Sequence, residues 1–110
     1  MEDARHQAAL TLSGLWHDWL LAGELYRNDA TAVASYQKAL QATERRTALR
    51  DAAALDVDQA RSALAQAQAQ LAVSASMKQR TRATLAATCP GLPLPAEPPA
   101  LAAPVLPAES

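Results

Sequence analysis

A chain of 110 residues carrying a net charge of −1 is at most one small domain, and it offers no basic or acidic surplus to draw nucleic acid or anionic lipid. Half of its residues are hydrophobic, but alanine dominates that half, phenylalanine is absent, and the aromatic residues are only Trp16, Trp19, Tyr26 and Tyr36. A wide, well-filled globular core is therefore excluded, whereas an elongated helical assembly suits alanine, which favours helix and takes little space.

The N-terminus, MEDARHQAAL, starts acidic and lacks the basic-then-apolar form of a secretory signal. The richest apolar run, LWHDWLLAGELY at 15–26, is interrupted by His17, Asp18 and Glu24, and is too short and too charged to span a bilayer. From about residue 3 to residue 88 there is no proline, and glycine occurs only at Gly14 and Gly23, so helix is predicted throughout. Within it Leu12, Trp19, Tyr26, Val33, Leu40 and Thr47 recur at heptad spacing, with companions Leu15, Ala22, Asp29, Tyr36 and Thr43. A second series follows at Val57, Leu64, Leu71, Lys78 and Leu85, with companions Ala60, Ala67, Ser74 and Thr81.

The two seams match in antiparallel register. Pairing positions whose numbers sum to 104 sets Leu64 against Leu40, Leu71 against Val33, Lys78 against Tyr26 and Leu85 against Trp19. The first seam supplies volume, and the second supplies alanines that let the helices approach; Ala67 is expected near Tyr36. Lys78 breaks the pattern, and its stem is expected along Tyr26 and Ala22, with the ammonium in water or over the ring. The predicted fold is therefore all-α, an elongated antiparallel two-helix coiled-coil hairpin over residues 1–88 with its turn near 50–56. The turn sequence itself is weak, since Ala52-Ala53-Ala54 favours helix; Asp51 or Asp56 could cap the second helix, and Asp56 with Gln59 resembles a capping box. A rival layout turns near 27–29, where Arg27-Asn28-Asp29 follows Gly23 and Asp29 would cap one very long helix. Either layout could also pair between chains, so self-association stays open.

Residues 89–110, CPGLPLPAEPPALAAPVLPAES, hold all seven prolines. Pro90 and Gly91 end the helix, and the remainder is expected to be an extended, disordered proline-rich tail. Its PxxP spacings, Pro95 to Pro98 and Pro104 to Pro107, could serve a proline-reading domain, but such spacing arises by chance in any proline-rich segment.

Little in the chain can do chemistry. His6 and His17 lie eleven residues apart, on nearly one face but three turns separated, too far to share a metal. His17 and Asp18 are neighbours that do not face each other on a helix, and no hydroxyl or thiol is placed near them. Cys89, the single cysteine, cannot form an internal disulfide, which suits a reducing compartment, and at a helix C-terminus its thiolate is disfavoured. No glycine-rich phosphate loop exists. The reading is no enzyme, no cofactor and no metal. Arg45, Arg46 and Arg50 cluster near the hairpin tip, and Lys78, Arg80 and Arg82 near the open end. They cannot form one basic face, so nucleic acid is not an expected partner. Near Trp19 the apolar residues exceed one helix face: Trp16, Leu20 and Leu21 are left over after the seam is filled. They are read either as a protein contact or as a surface buried under the N-terminal residues or the tail.

At LWHDWLLAGELY and the Ala/Arg/Gln heptads after it, over roughly residues 15–85, the sequence resembles the central-stalk family of type III secretion systems, relatives of the flagellar export stalk. The matching residues are Trp19, Glu24, Leu25 and Tyr26. Leu20 stands where the family commonly has arginine, Gly23 where it commonly has glutamate, and the Trp19–Tyr26 spacing is shorter than usual. The resemblance implies a long helical hairpin without catalysis, cytoplasmic and peripheral to a membrane-embedded secretion apparatus. Its stalk would sit in the export ATPase ring, bridge it to the export gate, and bind export chaperones. Partner contacts would then use the tip, Arg45, Arg46 and Arg50, and the end bearing Trp16, Leu20 and Leu21. ALDVDQARSALAQAQAQLA also resembles the hairpin of periplasmic efflux adaptors, without their flanking β-domains. A third reading is a small helical scaffold that dimerises and presents its proline-rich tail.

Overall fold

The computed structural model describes residues 2–50 and 53–101. Two helices account for its secondary structure, α1 over Glu2–Ala48 and α2 over Ala54–Thr88. They pack side by side as the antiparallel hairpin, and the molecule is 73 Å along its longest axis. At about 1.5 Å per residue, α1 alone accounts for nearly all of that length.

The reversal falls between Ala48 and Ala54, at the early edge of the predicted turn. α1 runs unbroken through Arg27-Asn28-Asp29, so the rival layout does not occur. Those residues are intrinsically turn-prone, but Trp19 and Val33 on either side of them are both buried, and burial outweighs a local preference worth a few tenths of a kcal/mol. At the end of α1 the amide of Leu49 donates to Arg45 O and that of Arg50 to Thr47 O, both at 3.0 Å. Arg50 sits at φ 63°, the left-handed conformation that glycine or asparagine usually supplies after a helix. A side chain there costs on the order of 1 kcal/mol. Asp56 does not cap α2 in partnership with Gln59. The helix starts one turn earlier, with Ala53 as its first flanking residue, because Ala54 extends helix readily. The Asp56 carboxylate reaches back and accepts from the Ala53 amide at 3.3 Å. Alanine has no acceptor to return, so this is half a capping box. Asp51, the other proposed cap, lies outside the described residues.

The heptad register is observed directly. Trp19 and Leu85 have no solvent exposure, and Ala22, Val33, Val57 and Ser74 are buried with them. The Lys78 ammonium lies 3.7 Å from the centroid of the Tyr26 ring, the pairing that the register demands. Tyr36 and Ala67 line one shallow gap between the helices, together with Asp29 and Gln70. Leu40, Leu64 and Leu71 are only half-buried. The seam is thus fullest around Trp19 and thins towards the tip. Among the polar seam residues, the Ser74 hydroxyl donates to Gln70 O and Leu71 O of its own helix at 3.3 and 3.1 Å, whereas Asp29 Oδ2 and Thr47 Oγ1 are buried without a partner among the described residues.

Over residues 89–101 the chain has neither helix nor strand, as its prolines dictate, but it is not free of the hairpin. Cys89 O accepts from the Leu92 amide at 3.2 Å, Pro90 takes the second position of this turn and Gly91 the third, at φ 89°. That is the arrangement a type II turn requires, and a side chain at Gly91 would be strained there. The turn sends the chain back along the hairpin, antiparallel to α2. Residues 102–110, which the disordered-tail expectation also covered, lie outside the described residues.

Candidate functional site

Three surfaces differ from plain solvated helix. The first is the tip. Arg45 and Arg46 occupy the last turn of α1, Arg50 the turn beyond it, and all three are exposed. Part of their presence is structural, since cations at a helix C-terminus oppose its partial negative charge. Leu49 and Leu55 flank them and are also exposed, so the tip carries both charge and apolar surface.

The second surface lies around Trp16. Its ring meets that of Trp19 edge to face, with centroids 5.3 Å apart at 71°. Trp19 fills the seam, and its indole N–H has no acceptor among the described residues. Trp16 is half-buried and lines an apolar groove of about 380 Å³ with Ala9, Leu12, Ser13 and, from the tail, Leu92. Leu20 is half-buried and Leu21 exposed. Of the two readings offered by the sequence, the tail therefore accounts for part of this surplus face and leaves part of it open.

The third surface was not singled out from the sequence. Residues 94–101 lie in the cleft between α1 and α2 and are held by side chains from both. Arg82 donates to Pro95 O at 3.0 Å through Nε and to Leu94 O at 3.2 Å through Nη2. Lys78 Nζ pairs with Glu97 Oε2 at 2.7 Å. Pro98 is buried over Gly23, where a methyl group built on the glycine would overlap the proline ring. Arg27 Nη1 donates to Pro98 O at 3.2 Å, and Arg27 Nη2 pairs with Glu24 Oε1 at 2.7 Å. The same Glu24 oxygen accepts from the Leu101 amide at 2.9 Å. That hydrogen bond, followed by the one from Arg27, holds the Glu24 carboxyl below the usual carboxylate range. The Lys78 side chain is only 15 % exposed, and its ammonium faces both the Tyr26 ring and the Glu97 carboxylate.

Legible signals for this cleft did exist. Lys78 and Arg82 are four residues apart and share a helix face. Four residues of helix rise about 6 Å, which is the advance of two residues in polyproline conformation. Pro95 at Arg82 and Glu97 at Lys78 keep that ratio. The missing step in the sequence reading was the turn at Cys89-Pro90-Gly91-Leu92, which decides that the tail comes back at all.

Elsewhere His6 and His17 are exposed, and Cys89 is a half-buried free thiol. Among the described residues no three His, Cys, Asp or Glu side chains converge as a metal site, and no helix is long and apolar enough to cross a membrane. No family model, curated protein or solved structure matches this chain.

Proposed function

We propose that this chain is a non-catalytic interaction rod, a helical hairpin that carries protein contacts at its two ends. The observation that carries the reading is the separation of its surfaces. An exposed Arg45/Arg46/Arg50 tip lies at one end, an aromatic face around Trp16 at the other, and a narrow seam joins them. Leu21 and Leu25, on the other side of α1, are exposed as well and add apolar surface near that end.

The finer reading follows the resemblance at Trp19, Glu24, Leu25 and Tyr26. On it the chain is the stalk of a type III export apparatus, its tip engaging the export ATPase ring and its aromatic end engaging the export gate or export chaperones. A stiff, narrow hairpin is the shape such a stalk needs. The reading as a scaffold that displays a free proline-rich tail is less favoured, because residues 94–101 are docked. The test is capture of the cognate export ATPase by the full chain. Substituting Arg45→Glu/Arg46→Glu should weaken capture by about tenfold or more, roughly 1.4 kcal/mol, with the chain still largely helical by circular dichroism and only the last turn of α1 weakened. Capture unaltered by the double charge reversal sinks the tip assignment.

A further inference from the structure

We propose that the cleft bounded by Gly23, Glu24, Arg27, Lys78 and Arg82 is a recognition site for an extended peptide with an acidic residue immediately before a proline. In this chain it is occupied by residues 94–101, and a partner segment of the same pattern displaces them.

The cleft reads each chemical feature of such a peptide separately. Backbone carbonyls are read by guanidinium groups, two by Arg82 and one by Arg27. The carboxylate is read by Lys78, which is oriented by the Tyr26 ring beneath it. The proline ring is read by shape, since only glycine at position 23 leaves room for it. An amide three residues beyond that proline is read by Glu24, which Arg27 holds in place. A proline-rich ligand is pre-extended and loses little freedom on docking, which is why carbonyl contacts and one ring seat suffice.

The occupant here is tethered by the short turn at Cys89–Leu92, so it competes at an effective concentration on the order of millimolar. External ligands therefore bind weakly until the tether is loosened, and the docked tail sets a threshold for binding. This inference is independent of the stalk reading, because it rests on contacts within the chain.

The experiment uses the full chain and a fluorescent peptide of residues 92–101, LPLPAEPPAL. A variant with Glu97→Ala and Pro98→Ala should bind that peptide saturably, and wild type should need about tenfold more peptide or greater. Adding Lys78→Glu to the released variant should lower its affinity about tenfold. A peptide carrying lysine in place of its glutamate should recover that loss. In wild type, millimolar unlabelled peptide should move the Leu101 amide resonance towards its position in the released variant. This last measurement needs no variant to bind. Equal affinity of wild type and released chain, no charge-swap recovery, or a Leu101 resonance indifferent to excess peptide would each overturn the proposal.

Discussion

Gly14 and Gly23 are the two glycines inside α1, and their surroundings give them opposite roles. Each lowers helix stability by about 1 kcal/mol relative to alanine. A methyl group at Gly14 would meet nothing within 4 Å, whereas one at Gly23 would overlap Pro98. Gly14→Ala should therefore raise the unfolding midpoint slightly and leave the tail docked. At Gly23 two effects oppose: helix propensity gains up to about 1 kcal/mol, and the proline seat is lost. Gly23→Ala is expected to keep or raise helix content while limited proteolysis cuts the tail several-fold faster, because cleavage reports the population of the open form. Unchanged tail cleavage in Gly23→Ala would show that the close approach is not what seats Pro98. The contact with Pro98 supplies a physical reason for glycine at position 23. Nothing in the helix pattern could have revealed it, since a glycine that makes room looks the same in sequence as one that merely weakens a helix.

The elements themselves were largely legible, because a heptad seam states both a helix and the face it buries. The pairing of Tyr26 with Lys78 shows that even the register could be read from two sets of positions. Boundaries were less legible. The start of α2 is fixed by Ala53 and the returning Asp56 carboxylate, and an alanine at a helix entrance carries no signal. Energetics should follow the thickness of the seam. Leu85→Ala removes a fully buried side chain and should cost about 2–5 kcal/mol, the usual range for buried leucine. Leu40→Ala and Leu64→Ala act on half-buried residues, and each should cost roughly 1–4 kcal/mol, below Leu85→Ala. Denaturant unfolding of the two singles and the double should give non-additive losses, because the register that pairs Tyr26 with Lys78, extended towards the tip, sets these residues against each other. Strict additivity would mean that they do not touch, and that the register slips where the seam is thin.

For the whole molecule, the decisive question is whose helix lies opposite whose. The heptads are equally compatible with pairing between chains, and what favours pairing within one chain is the closure of the hairpin at both ends. At the tip, Arg50 adopts a left-handed conformation that a continuous helix would not require. At the open end, the tail turns at Gly91 and reaches both helices, Arg82 and Lys78 on α2 and Gly23, Glu24 and Arg27 on α1. A single strap binding both rods is strong geometric support for a self-contained unit, and it bears on the segment least predictable from composition. Over residues 89–101 proline content correctly excluded helix, but it could not decide between a free tail and a docked one, because docking depends on a two-residue turn and on side chains of both helices, those of α1 more than seventy positions away. Nitroxide labels at exposed Asp18→Cys and Ala86→Cys, with Cys89→Ser to remove the native thiol, test the arrangement. One helix spacing plus the label arms predicts a separation within about 20 Å. That separation should persist when labelled chain is diluted into a large excess of unlabelled chain, because both labels ride on one molecule. Loss of the short distance on dilution would assign the pairing to two chains, and the tip and the strap would then have to be redrawn as parts of a dimer.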